Sequence, residues 1–130
     1  MIRVVCGAIV RDARVLVCQR SAETFPANVW ELHGGKVEPG ETDEAALVRE
    51  LREELAIDVV VGKGLGASVF DYGRKEVELV AYEARIVSGE PQKLEHQALR
   101  WLGPDELRGL DWAPADLPLL DAVETWLREQ

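Results

Sequence analysis

Residues 34–57 read GGKVEPGETDEAALVRELREELAI, and the fold can be predicted outward from this stretch. From Thr42 to Leu55 it holds good helix formers and neither Gly nor Pro. Val48, Leu51 and Leu55 stand at helical spacing within it. The pattern predicts an amphipathic helix whose apolar stripe packs against the rest of the molecule.

Three glutamates, Glu50, Glu53 and Glu54, fall together on the other side of this helix, because residues three and four apart are surface neighbours. Like charges at this spacing destabilise a helix by about 0.2–0.5 kcal/mol per pair. Arg49 and Arg52 can compensate in part, and a divalent cation such as Mg²⁺, which takes oxygen ligands, can compensate further. An ordinary solvated helix face shows the same acidic pattern, so the helix alone does not decide between the two explanations.

The spacing of the other residues in this stretch favours the metal site. Five residues separate Gly35 from Glu41, and seven more separate Glu41 from residues 49–57, RELREELAI. This arrangement resembles the Nudix box, the signature of the Nudix hydrolases. One departure is Ala56, where the family usually has Gly. Alanine at that position either carries backbone strain or ends the helix differently.

The resemblance implies a role for most charged residues of the box. The implied magnesium ligands are the side chains of Glu50, Glu53 and Glu54 and the backbone carbonyl of Gly34. Mn²⁺ is an alternative ion. Glu41 and Arg49 resemble the pair that ties the loop to the helix and orients the carboxylates. The alternative for this pair is a surface salt bridge worth at most about 1 kcal/mol.

A further acidic residue from a later loop completes the metal site in MutT-like members of the family. Glu95, in QKLEHQALRW, stands at the corresponding place. Either Glu50 or Glu95 then serves as the general base, depending on which carboxylate comes within about 3 Å of the attacking water. The catalytic residues that the resemblance implies are Glu41, Arg49, Glu50, Glu53 and Glu95.

The implied reaction is attack by water on a phosphorus of a nucleoside triphosphate, which releases a nucleoside monophosphate and pyrophosphate. Metal ions supply most of the catalysis in such reactions, and no covalent intermediate is required. In agreement, the sequence has no Ser nucleophile motif and no Walker A loop. The two histidines, His33 and His96, are scattered along the chain and are interpreted as structural.

Substrate choice is predicted to depend on residues 95–120, which resemble the same region of MutT-like enzymes, most closely the CTP pyrophosphohydrolase and 8-oxo-dGTP diphosphatase branch. Asp116 stands where the MutT type has a base-reading Asn. Its carboxylate can accept a hydrogen bond from the amine of cytosine or, when protonated, donate one to an oxidised guanine. It can equally cap a helix that begins at Leu117 and Pro118. Further candidates for contact with the base or the phosphates are Arg20, Lys75 and Gly35.

The predicted function is a magnesium-dependent nucleoside triphosphate pyrophosphohydrolase that acts on CTP or dCTP-type nucleotides, or cleanses the nucleotide pool of 8-oxo-dGTP and so serves DNA repair. One alternative is a hydrolase of another nucleoside diphosphate derivative, such as a dinucleoside polyphosphate or ADP-ribose. Another is a non-catalytic Nudix-fold module that binds nucleotide or protein. Such modules typically lose box glutamates, and this chain keeps all four.

Composition agrees with one small domain over residues 1–130, of which 47% are hydrophobic. The net charge of −9 argues against long nucleic acid as a partner, since phosphates are bound by Lys and Arg. Cys6 and Cys18 lie in apolar, strand-like runs and are predicted to be buried free thiols in a cytoplasmic protein. The apolar run Ile2 to Val10 is too short for a membrane span and lacks a signal-peptide leader. The oligomeric state is left open.

Hydrophobic patterns predict strands on both sides of the box helix and a second helix near residue 120. The predicted strands are Ile2–Arg11 and Arg14–Arg20, joined by a hairpin turn at Asp12 and Ala13, a short segment at Val29–His33, and Val59–Val61, Ala67–Tyr72, Val77–Val87 and Gln97–Leu102. Gly62, Gly64 and Gly66 predict an irregular loop. A terminal helix is predicted at Leu117–Glu129. This order indicates a mixed sheet between helical layers, compatible with the α/β/α sandwich that the resemblance implies.

Overall fold

The computed structural model describes residues 1–130, which form seven strands, two α-helices and two short 3₁₀-helices. The strands are β1 (Ile2–Arg11), β2 (Arg14–Gln19), β3 (Trp30–Glu31), β4 (Gly34–Lys36), β5 (Asp58–Asp71), β6 (Glu76–Ser88) and β7 (Ala98–Leu102). The α-helices are α1 (Asp43–Leu55) and α2 (Leu120–Arg128), and the 3₁₀-helices cover Pro104–Gly109 and Leu117–Leu119.

All seven strands belong to one mixed sheet. Its order is β3-β2-β1-β6-β5, with β4 also paired to β1 and β7 also paired to β2. The central pair, β1 and β6, is parallel, whereas the other pairs are antiparallel. The predicted hairpin is confirmed: Val10 pairs with Val15, and Asp12 and Ala13 both have positive φ, as a two-residue type I′ turn requires.

Side chains of the central strands alternate between two hydrophobic layers. Val5 and Ile9 of β1 pack in the layer that contains α1, while Cys6, Ala8 and Val10 pack in the layer that contains α2. This alternation follows from the two-residue period of a strand, and it buries both faces of the sheet. The fold is therefore the predicted α/β/α sandwich. Both cysteines, Cys6 and Cys18, are buried and free, also as predicted.

Helix α1 begins at a side-chain cap and packs through four small or aliphatic residues. The Thr42 hydroxyl accepts a hydrogen bond from the Ala45 amide at 3.1 Å. Leu51 and Leu55 are fully buried as predicted, but Val48 is only half-buried. The other fully buried side chains of the helix are Ala46 and Leu47. The apolar stripe thus lies about one residue away from the predicted position.

Helix α1 ends at Ala56, which adopts the left-handed conformation with φ 59° and ψ 35°. Its amide donates to the carbonyl of Arg52 at 3.2 Å, which closes the last turn. Of the two alternatives for this position, the structure therefore has the one in which alanine carries strain.

The predicted loop at Gly62, Gly64 and Gly66 is wrong, because these glycines lie inside the single long strand β5. Strand β5 pairs with β6 along its whole length, and the register shifts between Val61 and Gly64 and again between Gly64 and Gly66. Such bulges accommodate glycine within a strand. A side chain at Gly62 would also meet the Glu83 carboxylate of β6 at 2.1 Å.

The predicted terminal helix begins later than expected, since residues 117–119 form a 3₁₀ turn before α2. Its predicted inward residues are all buried, namely Leu119, Leu120, Val123, Trp126 and Leu127. Neither α-helix combines the length and the apolar content that crossing a membrane requires.

Candidate active site

A bidentate ion pair joins the loop before α1 to the helix itself. Arg49 Nε lies 2.7 Å from one carboxylate oxygen of Glu41, and Nη2 lies 2.9 Å from the other. The hydrogen bonds from Arg49 and from the backbone amide of Glu38 lower the pKa of Glu41 to about 2. Arg49 also donates to the Lys36 carbonyl and to Glu50 Oε1, both at 3.0 Å. The pair thus fixes the loop and one box carboxylate together.

The carboxylates of Glu50 and Glu54 converge with the imidazole of His33. One ligand atom from each of the three residues lies within 4.8 Å of the others. Gly35 lies directly against this group, because a Cβ at that position would be 2.2 Å from the carboxyl carbon of Glu50. We call these three side chains the His33–Glu50–Glu54 cluster.

Glu54 Oε2 in this cluster is buried and has no hydrogen-bond partner. Burial raises the pKa of Glu54, and the nearby charges of Glu95 and Glu50 raise it further. A buried carboxylate oxygen without a donor is unfavourable unless a positive charge compensates. Carboxylates and imidazole together are suitable ligands for a divalent cation. The cluster therefore fits the ion that the box predicts.

The two remaining predicted carboxylates lie at the edge of the cluster. The Glu53 side chain is 58% exposed and 3.5 Å from Arg49, so it lies outside the group of converging atoms. Glu95 is exposed in the loop before β7, and its charge acts on Glu54. Gly34 lies on β4 opposite Cys6, where a Cβ would be 1.8 Å from the carbonyl oxygen of Val5.

A cleft with a volume of about 200 Å³ opens beside the cluster. It is lined by all four predicted substrate-binding residues, namely Arg20, Gly35, Lys75 and Asp116. Its lining also includes Phe25 and Tyr72, whose rings meet edge to face with centroids 6.1 Å apart. A cleft of this volume can hold a ring system the size of a nucleobase.

Asp116 lies buried in the lining of this cleft. Its Oδ2 accepts a hydrogen bond from the Leu32 amide at 2.9 Å. The carboxylate makes no capping hydrogen bond, and the backbone at Asp116 is already helical, so the capping alternative is wrong. Burial, together with the negative charge of Glu31, raises the pKa of Asp116 well above its ordinary range. The site therefore favours the neutral carboxyl.

The NUDIX domain family model matches residues 1–123. The chain belongs to the Nudix hydrolase family. It is 44% identical to the CTP pyrophosphohydrolase of Escherichia coli K12 over 122 residues, which are 94% of this chain and 90% of the relative. It is 47% identical to the putative 8-oxo-dGTP diphosphatase 2 of Mycobacterium tuberculosis H37Rv over 116 residues, 87% of this chain and 81% of that protein.

Solved structures of Nudix proteins share the fold along almost the whole chain. The solution structure of the E. coli ORF135 protein superposes with a TM-score of 0.83 at 43% identity, covering 98% of this chain and 91% of that one. The crystal structure of a MutT protein from Methanosarcina mazei Go1 gives a TM-score of 0.82 at 28% identity, covering 98% and 94%. Nudix hydrolases generally use a divalent metal, and the His33–Glu50–Glu54 cluster is a candidate site for it.

The sequence did not predict one feature of this Nudix hydrolase, a buried network around Glu31. Arg20 Nη1 donates to Glu31 Oε1 at 2.9 Å, and Oε2 lies 2.7 Å from His33 Nδ1 and 2.9 Å from His96 Nε2. The two imidazoles, scattered in the sequence, are in contact with centroids 4.4 Å apart. Alternation along an extended segment places residues 31 and 33 on one side, but no local signal brings His96 to them.

Proposed function

We propose that this Nudix hydrolase cleaves nucleoside triphosphates to a nucleoside monophosphate and pyrophosphate with Mg²⁺ as its ion. The observation that carries the proposal is the position of Gly35, which lies against Glu50 and also lines the cleft. The candidate metal site and the candidate base site are therefore adjacent. A nucleotide bound with its base in the cleft would direct its phosphates toward the carboxylates.

The residues of the box have separate tasks in this proposal. Glu50 and Glu54 hold the cation, with Glu53 and the Gly34 carbonyl as further ligands. Held by these residues, a divalent cation would supply neutralisation of phosphate oxygens and activation of the attacking water. Arg49 and Glu41 keep the Glu50 carboxylate in place.

We assign the general base to Glu95 in preference to Glu50. The Glu50 side chain is 14% exposed, and its Oε1 lies 3.0 Å from Arg49 Nη1. Glu95 makes no hydrogen bond or ion pair in the protein, is exposed, and lies close enough to influence Glu54. Its carboxylate is thus free to accept the proton of the attacking water as the water adds to phosphorus and the phosphoanhydride bond between the nucleoside monophosphate and the pyrophosphate breaks.

Base recognition is assigned to the cleft around Asp116. The neutral carboxyl can donate a hydrogen bond to a ring nitrogen or carbonyl of the base while its Oδ2 accepts from Leu32. Phe25 and Tyr72 supply aromatic surface, and Arg20 and Lys75 supply positive charge. The relatives at 44% and 47% identity are named for CTP and 8-oxo-dGTP. We therefore propose cytosine or oxidised guanine triphosphates as substrates.

Pyrophosphate release from CTP, dCTP, 5-substituted dCTP and 8-oxo-dGTP in Mg²⁺ tests the reaction, with ADP-ribose and a dinucleoside polyphosphate as substrates of the other class. Glu54→Gln is expected to lower kcat/KM at least about 100-fold, since it removes a charge that faces the cation. Glu44→Gln, an exposed change on the same helix, is the matched control and is expected to keep full activity. Nucleotide binding without turnover of any substrate would contradict the proposal and favour a non-catalytic module.

Two further variants test the assigned roles. Glu95→Gln is expected to lower kcat and remove the acidic limb of its pH profile, because a general base must be deprotonated. If the acidic limb disappears in Glu50→Gln and persists in Glu95→Gln, Glu50 is the general base instead. Asp116→Asn and Asp116→Ala are expected to change the ranking of kcat/KM between CTP and 8-oxo-dGTP, and an unchanged ranking would remove Asp116 as the base reader.

A further inference from the structure

Each imidazole of the Glu31 network has one buried ring nitrogen without a hydrogen-bond partner, His96 Nδ1 and His33 Nε2, but of the two residues only His33 belongs to the His33–Glu50–Glu54 cluster. His33 is 8% exposed, and its Nε2 is buried without a hydrogen bond. One ring nitrogen of His33 lies within 4.8 Å of a carboxylate oxygen of Glu50 and of Glu54. Because Nδ1 already bonds Glu31 at 2.7 Å, Nε2 is the nitrogen that is free to face these carboxylates. A buried polar atom directed at two carboxylates requires a ligand or a proton to satisfy it.

The other ring nitrogen of His33 fixes which atom carries the proton. Glu31 is surrounded by donors, with Arg20 on Oε1 and both imidazoles on Oε2. A carboxylate in such surroundings only accepts hydrogen bonds, so His33 Nδ1 carries the hydrogen at 2.7 Å. In the neutral imidazole the lone pair is then on Nε2. This arrangement, with a carboxylate behind Nδ1 and a free Nε2, is that of metal-binding histidines.

Glu54 faces this lone pair with an unsatisfied atom of its own. Its Oε2 is buried and has no hydrogen-bond donor, so the cluster contains two electron-pair donors without a partner, His33 Nε2 and Glu54 Oε2. Ligands on opposite sides of an octahedral cation are about 4.2 Å apart. Only one pair among three ligands can take opposite positions, and the three atoms of the cluster all lie within 4.8 Å of one another, a range that one ion can bridge. A single ion would satisfy His33, Glu54 and Glu50 together.

We infer that His33 Nε2 is a direct ligand of the cation held by Glu50 and Glu54, so that this site favours first-row transition ions, of which Mn²⁺ is the probe used below, over Mg²⁺. The inference rests on the metal site of the proposed function and adds a nitrogen to its oxygen ligands. Mg²⁺ favours oxygen ligands and keeps its waters, whereas imidazole suits later divalent metals.

The neighbouring group of Glu31, His33 and His96 does not form a second metal site. Its close atoms, His33 Nδ1, His96 Nε2 and Glu31 Oε2, are already joined by hydrogen bonds of 2.7 and 2.9 Å. Of the two histidines, His33 is the one that converges with Glu50 and Glu54. His96 therefore offers a control, because it is a second buried imidazole on the same carboxylate that is not part of the His33–Glu50–Glu54 cluster.

Binding of Mn²⁺ and Mg²⁺ to the whole protein, measured by calorimetry without nucleotide, tests the inference apart from activity. His33→Gln is expected to weaken Mn²⁺ at least about tenfold and Mg²⁺ much less. Pulsed EPR of the Mn²⁺-loaded protein is expected to show coupling to a directly bound ¹⁴N. The coupling should vanish in His33→Gln and persist in His96→Gln. If His33→Gln does not fold, the wild-type spectrum alone decides.

Bound Mn²⁺ without nitrogen coupling in the wild type would overturn the inference. Retained coupling in His33→Gln would overturn it as well. Glu54→Gln separates this outcome from a failure of the proposed function. If Glu54→Gln abolishes Mn²⁺ binding while no nitrogen coupling is found, the carboxylate site stands and only the role of His33 is lost. If Glu54→Gln leaves Mn²⁺ binding unchanged, the metal site of the proposed function and the inference fall together.

Discussion

Replacement of Ala56 by glycine is expected to stabilise the protein. Ala56 ends α1 at φ 59° and ψ 35°, its side chain is exposed, and its amide already closes the last turn. An alanine in this conformation costs about 1–2 kcal/mol, which glycine would recover. Glycine also raises the conformational entropy of the unfolded chain, which lowers stability by about 0.4–1 kcal/mol and offsets part of this gain. The free energy of unfolding of Ala56→Gly should therefore rise by about 0.5–1 kcal/mol.

The increase corresponds to a measurable shift in melting temperature. Unfolding entropy is about 2.1 cal/mol/K per residue, so 130 residues give about 0.27 kcal/mol/K and the expected shift is about 2–4 °C. Urea unfolding and calorimetry should be carried out in EDTA, because any bound metal would add its own stabilisation.

Ala45→Gly provides the matched control on the same helix. Ala45 is also exposed, but it lies inside α1, where glycine costs about 0.5–1 kcal/mol relative to alanine. The two variants should thus change stability in opposite directions. A decrease in the free energy of unfolding for Ala56→Gly would refute the argument that backbone strain is released there.

Three further outcomes are expected. Gly34→Ala should destabilise the fold by about 3 kcal/mol or more in urea unfolding, because its Cβ would overlap the backbone of β1 at 1.8 Å. Gly35→Ala should cost only about 1 kcal/mol but weaken Mn²⁺ binding at least about tenfold in calorimetry, because its Cβ displaces the flexible end of Glu50; unchanged metal binding would count against the cluster. The raised pKa of Asp116 means that the folded protein binds this proton more tightly, so its stabilisation is present below the ordinary pKa of 3.8 and is lost as pH rises. The free energy of unfolding of Asp116→Asn, compared with that of the wild type, should therefore increase progressively above pH 4. A difference that does not depend on pH would contradict the raised pKa of Asp116.

The box and its helix could be predicted from sequence because their signals are local. The helix formers and the spacing from Gly35 through Glu41 to the carboxylates all lie within 23 residues, 35–57. The hairpin at residues 12 and 13 and the two buried thiols follow from equally local patterns. The conformation of Ala56 was one of two alternatives, and geometry decided between them.

The errors concern contacts between distant segments. Three glycines predict a loop between Val61 and Ala67, but pairing with β6 continues the strand through them. A helical wheel places the three box glutamates on one solvated face. In the structure, Oε2 of Glu54 is buried whereas the Glu53 side chain is exposed, because neighbouring segments cover one side of that face. The contact of His96 with His33 depends on how β7 packs, which no local pattern contains.

The hydrogen bond from the Leu32 amide to Asp116 spans 84 positions of sequence and has a consequence for engineering base preference. Leu32 immediately precedes His33, and Gly34 follows, so the acceptor that supports this backbone belongs to the segment to which we assign base recognition. A chimera that exchanges residues 95–120 for those of a relative would alter the base-recognition segment and the acceptor that supports the Leu32 backbone at the same time. Retaining an acceptor at position 116 is therefore a design requirement for transplanting specificity between Nudix scaffolds without disturbing the box.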